Sequence, residues 1–240
     1  MAGTFFPVKR ALNAHQGFVA DMKINFRRFR ITVAKQSLNV LPFYALFHQM
    51  GCKAMAQQTG FIQPYADSPM DNEQVGEEVY ISMINKAEKY CWFMTPYLII
   101  TDEMTHALCL AAKRGVDVRI ITPGIPDKKF IYNITRSFYH GLVKHGVRVY
   151  EWTPGFCHAK MSVVDDCMAT CGTINLDYRS LYHHFENGCF MIDCQSVLDI
   201  KSDLIKTMGE CRDVTEQYCT GRSAYLRLGQ LFMRLFAGLL

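Results

Sequence analysis

Between Val75 and Trp152 the apolar residues switch repeatedly between two spacings, and this constrains the fold more than any other feature of the chain. In VGEEVYISMINKAEKY, Val79, Met83, Ile84 and Ala87 recur at helical spacing. CWFMTPYLII follows, a short β-prone run broken at Pro96. DEMTHALCLAAKRG returns to the helical period, with Asp102 as N-cap or first-turn acid and Gly115 at its stop. VDVRIITPG alternates as a strand does, DKKFIYNITRSFYHGLVKHG reads as a helix ending at Gly146, and VRVYEW is again strand-like. Helix and strand in alternation predict an α/β fold, a sheet covered by helices.

After Pro154 the elements shorten. HAKMSVVDD and CMATCGT predict a hairpin, or two adjacent strands, with Asp165 and Asp166 in the turn. HFENGCFMID reads as a strand and SVLDIKSDLIKTMGECRDVT as a helix. The last run, RSAYLRLGQLFMRLFAGLL, places Leu228, Leu231, Phe232, Leu235, Phe236 and Leu239 on one face and Arg227, Gln230 and Arg234 on another. That pattern predicts an amphipathic helix over 222–240, docked on the core or lying on a membrane surface. Residues 1–60 are poorly patterned, although the basic, aromatic KINFRRFRITVAK alternates like a strand. QPYADSPMDNEQ (Gln63–Gln74) reads as a polar, proline-bearing connector.

Composition narrows the possibilities. The 240 residues are half hydrophobic, enough for a sizeable core. The net charge of +4 is mild, weaker than a dedicated nucleic-acid surface would favour, and no nucleic-acid partner is expected. Ten cysteines occur without a CxxC pair, and Cys91, Cys109, Cys157, Cys171 and Cys189 sit in apolar runs. Buried free thiols in a reducing compartment are expected rather than a disulfide framework, and the Cys167/Cys171 pair is too sparse for zinc. No signal peptide is recognisable, and VLPFYALF is too short to cross a bilayer, so the chain as given is expected not to span a membrane.

The chemistry concentrates in HAKMSVVDDCMATCGTINLDYRS, which starts at His158. In an extended segment, residues two apart share a face, so His158 and Lys160 point the same way. A neutral imidazole can attack phosphorus and split one hard displacement into two easier ones. Lys160 would steady the non-bridging oxygens as their charge grows, Thr173 and Asn175 can donate hydrogen bonds to them, and Gly172 permits close backbone approach. With such donors no metal or other cofactor is needed. Tyr97, just after Pro96, reads as a core tyrosine or a cleft residue, and His183 and His184 as surface or supporting residues.

His158, Lys160 and Asp165, followed by Gly172, Thr173, Asn175, Arg179 and Ser180, resemble the H-x-K-x4-D and G-[ST]-x-N-x3-R-S signature of the phospholipase D superfamily. The flanks TPYLIITDEM, LAAKRGVDVRIITPGIPDKK and TRSFYHGLVKHGVRVYEWTPGFCHAK are similar to the C-terminal half of bacterial cardiolipin synthases. The resemblance covers roughly residues 60–240. It implies a mixed β-sheet flanked by helices on both faces, carrying a single copy of the motif. A catalytic half-domain over 61–221 would follow the segment 1–60.

The resemblance also implies roles. His158 would be the nucleophile, and Glu186, in HHFENG, the carboxylate that orients its ring. Asp165 belongs to the catalytic signature but is expected to hold the turn rather than touch substrate. Asp177 and Arg179 would form a supporting ion pair, with Ser180 and Gly172 also supporting. The implied reaction transfers a phosphatidyl group from one phosphatidylglycerol to another at a bacterial cell membrane, with this chain bound peripherally. The family uses two facing motifs, one histidine attacking and the other serving as acid and base. The second would come from a homodimer mate or a missing N-terminal half. The alternatives are a phosphodiesterase that hydrolyses lipid or nucleic acid, or a truncated, catalytically silent fragment.

Overall fold

The computed structural model describes residues 60–70 and 73–219, together with the backbone of two short strands, β1 (Ile24–Phe26) and β2 (Phe29–Ile31). These two pair antiparallel, so the basic aromatic run near the N-terminus is a pair of short strands. The amphipathic run at 222–240 lies outside the described residues.

The main body follows in the order β3 (Phe61–Asp67), α1 (Val75–Lys86), β4 (Tyr90–Met94), β5 (Leu98–Ile99), α2 (Asp102–Lys113), β6 (Asp117–Pro123), α3 (Lys129–Val143) and β7 (Arg148–Trp152). Then come β8 (Met161–Val164), β9 (Met168–Gly172), β10 (Leu176–Asp177), a π-helical turn (Arg179–His183), β11 (Glu186–Ile192), α4 (Gln195–Gly209), β12 (Cys211–Asp213) and α5 (Thr215–Cys219). The expected helices and strands between Val75 and Trp152 are all present. At the start of α2 the cap is Thr101, whose hydroxyl accepts the Met104 N–H at 3.1 Å, and Asp102 is the first-turn acid.

Eight strands form one mixed sheet in the order β12-β7-β6-β4-β8-β9-β11-β3. The neighbours β4, β6 and β7 run parallel, because a helix returns the chain between them, while every other pairing is antiparallel. Alternation along β4 shows why both faces are covered. Cys91 and Phe93 enter a core shared with α1, α2, α3 and α5, whereas Tyr90, Trp92 and Met94 enter a second core closed by Val197 and Leu204 of α4. Each fully buried Leu, Ile or Phe in these layers contributes about 2 kcal/mol of transfer free energy.

Three expectations need correction. Phe61–Asp67 is a strand, not connector, and pairs with β11 from Asp67↔Glu186 to Phe61↔Ile192. Its Pro64 is tolerated because β3 is the sheet edge. The helix after Cys194 stops at Gly209, and Cys211–Asp213 forms edge strand β12 against β7. There Arg212 reaches the fully buried Glu151 at 2.6 Å, which also receives both arms of Arg136 at 2.8 Å. A continued helix would leave that buried carboxylate one partner short. Finally, Cys91, Cys109 and Cys157 are buried free thiols, but Cys189 is only half-buried and Cys171 is exposed where β9 borders an open cleft.

Candidate active site

The hairpin built by β8 and β9 places the two halves of the signature at opposite ends. Asp165 and Asp166 occupy the turn, both with positive φ, and the Cys167 N–H bonds back to the Val164 carbonyl at 3.0 Å. The Asp165 carboxylate accepts backbone N–H groups from Glu88 at 2.6 Å, Lys89 at 2.9 Å and Tyr90 at 2.7 Å. It therefore fastens the hairpin to the start of β4 and stands a whole strand away from His158, in the structural role expected of it.

At the other end His158 and Lys160 lie on the extended lead-in to β8, not within the strand. They border a cleft of about 510 Å³, which is also lined by Met161, Cys171, Thr173, Asn175 and Glu186. His158 is exposed and Lys160 is 8% exposed. Lys160 Nζ lies 2.9 Å from Nδ1 and 3.1 Å from Nε2 of the imidazole, and donates to the His158 carbonyl at 2.8 Å. Burial pulls the Lys160 pKa below the usual lysine range, and the Glu186 and Asp177 carboxylates oppose that pull.

The rest of the cleft is a chain of hydroxyls around a carboxylate. Glu186 heads β11, where it accepts a hydrogen bond from Thr173 Oγ1 on one oxygen and from Ser180 Oγ at 2.8 Å on the other. Ser180 Oγ in turn accepts from Asn175 Nδ2 at 3.0 Å. Asn175 Oδ1 has no hydrogen-bond partner. No hydrogen bond joins Glu186 to His158; ring neighbours flank the imidazole instead. Phe156 lies 5.8 Å away and Tyr97 lies edge-on at 6.5 Å. Tyr97 is half-buried beside the imidazole, and its hydroxyl donates to Asp127 Oδ2 at 2.6 Å.

The turn that carries Ser180 is held from below. Tyr182 donates its hydroxyl to the buried Glu77 of α1, which also accepts from the Thr101 hydroxyl. Asp177 is buried, and its carboxylate accepts the Ser180 N–H at 2.8 Å; burial raises its pKa above the ordinary aspartate value. The expected Asp177–Arg179 ion pair is absent among the described residues. Arg179 is exposed, and Asp177 serves as a cap for the turn. Gly172 lines the cleft and also meets a second constraint: a Cβ there would sit 2.4 Å from the Asn187 carbonyl, so the glycine allows β9 and β11 to approach. His183 and His184 are exposed, as expected.

Thus the fold brings His158, Lys160, Thr173, Asn175 and Glu186 together, with Ser180 behind them, and leaves Asp165 and Arg179 outside. Sequence reasoning missed Phe156 and Met161. Phe156 carried a usable signal, since it stands two residues before His158 and shares its side in extended chain. Among the described residues no cluster of three or more His, Cys, Asp or Glu side chains could hold a metal ion.

Comparison with known proteins supplies the family. An uncharacterised protein of Streptococcus mutans serotype c is 49% identical over 75% of this chain and 39% of its own length. A cardiolipin synthase of Halalkalibacterium halodurans is 34% identical over 75% of this chain and 36% of its own length. The chain therefore spans well under half the length of these curated relatives. Among solved structures, the phospholipase D family member Nuc from Salmonella typhimurium superposes with a TM-score of 0.55 at 19% identity, over 64% of this chain and 97% of that one, a likeness of fold. The family model described as cardiolipin synthase, PLD-like domain matches residues 80–208, more than half of the chain. The protein belongs to the cardiolipin synthase, PLD-like domain family.

Proposed function

We propose that this chain carries one catalytic half of a phosphatidyltransferase that makes cardiolipin and glycerol from two phosphatidylglycerol molecules. The reading is supported by one observation above all: His158, Lys160, Asn175 and Glu186 converge on a single open cleft. A lone pair on the His158 ring attacks phosphorus, the P–O bond to the headgroup glycerol breaks, and glycerol departs with a proton. The Lys160 ammonium and the second Nδ2 hydrogen of Asn175 face the phosphoryl oxygens as their charge grows, while the Thr173 hydroxyl, donated to Glu186, holds that carboxylate in place. A hydroxyl of a second phosphatidylglycerol then displaces the histidine, giving up its proton as the N–P bond breaks. Glu186, neighboured by Ser180 and Thr173, keeps a negative charge near Lys160 and so favours its ammonium form.

Proton delivery to glycerol needs a second acid and base on the far side of phosphorus. A second copy of the chain, or a preceding region bearing its own motif, fits that position. The bacterial membrane surface is the place where such a lipid substrate meets the cleft.

The test supplies phosphatidylglycerol vesicles and follows products and protein together. Cardiolipin with stoichiometric glycerol, and lipid phosphate covalently trapped on His158 by rapid acid quench, is the expected result. Phosphatidic acid without cardiolipin would replace transfer by hydrolysis as the activity. Product formation by a His158→Ala protein would end the phosphohistidine mechanism.

A further inference from the structure

Eight large apolar side chains are exposed among the described residues, and four of them stand on segments that adjoin residues of the site. Phe156, 39% exposed, lies beside the His158 ring. Phe185, 72% exposed, immediately precedes the cleft-lining Glu186. Ile125 (47%), on the loop between β6 and α3, and Phe130 (54%), in the first turn of α3, flank Asp127 in the chain, whose carboxylate receives the hydroxyl of Tyr97 next to His158. Isolated exposed apolar groups are ordinary, but a group of them around a reactive opening marks a contact surface.

The loop is preformed. The Gly124 N–H bonds to the Trp152 carbonyl at 2.7 Å, and the Tyr132 hydroxyl donates to the Gly124 carbonyl at 2.9 Å. Pro123 and Pro126 stiffen it further. A rigid loop loses little conformational freedom when it docks. Lys128 at the end of this loop and Lys129 at the start of α3 are exposed, while the loop's one acid, Asp127, is turned toward Tyr97. Apolar tips beside uncommitted ammonium groups complement an anionic lipid surface, with carbon below and phosphate above. Leu198 and Ile205 on α4 stand among Asp199, Asp203, Lys201 and Lys206, with Lys201 already paired to Asp166, so that face carries no excess of free ammonium groups for anionic lipid.

We propose that the rim formed by Ile125, Phe130, Phe156 and Phe185 is a docking surface for an anionic phospholipid bilayer, which presents the cleft to its substrate in the membrane plane. Lys128 and Lys129 hold lipid phosphates at the level of the headgroups. The inference rests on the lipid reading of the site, but it is tested separately from turnover.

The 240-residue chain is sedimented with phosphatidylcholine vesicles, with and without phosphatidylglycerol. Binding that rises with phosphatidylglycerol is expected for the wild type. The exposed double variant Ile125→Ser/Phe130→Ser should lose at least about fivefold in partition coefficient on both vesicle types. Lys128→Gln/Lys129→Gln should remove the gain from phosphatidylglycerol and its salt dependence. Leu198→Ser/Ile205→Ser, which removes similar apolar area elsewhere, should change nothing. The proposal is overturned if the Ile125/Phe130 variant binds like the wild type while melting like it, or if the wild type ignores both vesicles. It is also overturned if the variant alters only the sedimentation-velocity state, since the rim would then contact protein. Vesicle binding without cardiolipin formation would sink the transferase reading and leave the docking surface standing; cardiolipin formation with rim-independent binding would do the reverse.

Discussion

At the turn of the β8–β9 hairpin, Asp165 has both carboxylate oxygens committed, to three backbone N–H groups from residues 88–90. At the cleft end, one strand away, His158 is exposed, and Oδ1 of Asn175 is buried without a hydrogen-bond partner. One sequence signature spans both ends. The contrast separates residues kept for chemistry from residues kept for architecture, a distinction that spacing alone does not make. Where every polar atom is satisfied, a side chain is holding the fold; an exposed imidazole and an unsatisfied amide oxygen beside a cleft are held for something else.

The sharpest way to break this comparison is to exchange the effects. His158→Ala should reduce phosphatidyl transfer by at least about 10³-fold while moving the thermal midpoint by no more than about 2 °C. Asp165→Ala should do the opposite: a loss of about 2–4 kcal/mol in urea unfolding, with turnover per folded molecule close to wild type. If Asp165→Ala proved inactive yet fully stable, the division of roles between the two ends would be wrong.

A smaller effect sharpens the open end. Burial lowers the Lys160 pKa, so its ammonium, the form that steadies phosphate, is lost at a lower pH than for an ordinary lysine. The alkaline limb of kcat/KM should therefore begin below the usual lysine range. Glu186→Gln removes a carboxylate that favours the charged form and should move the limb lower still. A pH–rate profile that leaves the limb in place after Glu186→Gln would detach Glu186 from Lys160. Smallest of all, Arg179→Ala should stay within about 0.5 kcal/mol of wild-type stability, because its guanidinium makes no ion pair to the buried Asp177.

Much of this was legible beforehand, for identifiable reasons. Val79, Met83 and Ile84 announce α1 because a helix must bury one stripe, and the Asp165–Asp166 turn announces itself because short polar residues tolerate positive φ. The cleft residues could be picked out because their spacing is fixed by the reaction they resemble. What stayed hidden depended on partners distant in sequence. Nothing local in Phe61–Asp67, with its proline and polar residues, reveals that β11 lies alongside. Cys211–Asp213 continues a helical pattern until the buried Glu151 claims Arg212. The second constraint on Gly172, the Asn187 carbonyl, lies on another strand and leaves no local mark. The contacts of Glu186 were missed because two hydroxyls, from Thr173 and Ser180, reach it first.

The pairing of β3 with β11 has a consequence for assembly. It joins Asp67 to Glu186, across more than a hundred residues, whereas β4, β6 and β7 join through single crossover helices. Closing so long a loop costs more entropy than closing the short ones, so the parallel half can nucleate while the edge strand still waits. On a ribosome β3 emerges first of the eight and is paired among the last. Pulse-labelled hydrogen exchange during refolding should find its amides protected after those of β4 and β6, and the strand bearing Glu186 gains its outer neighbour only then.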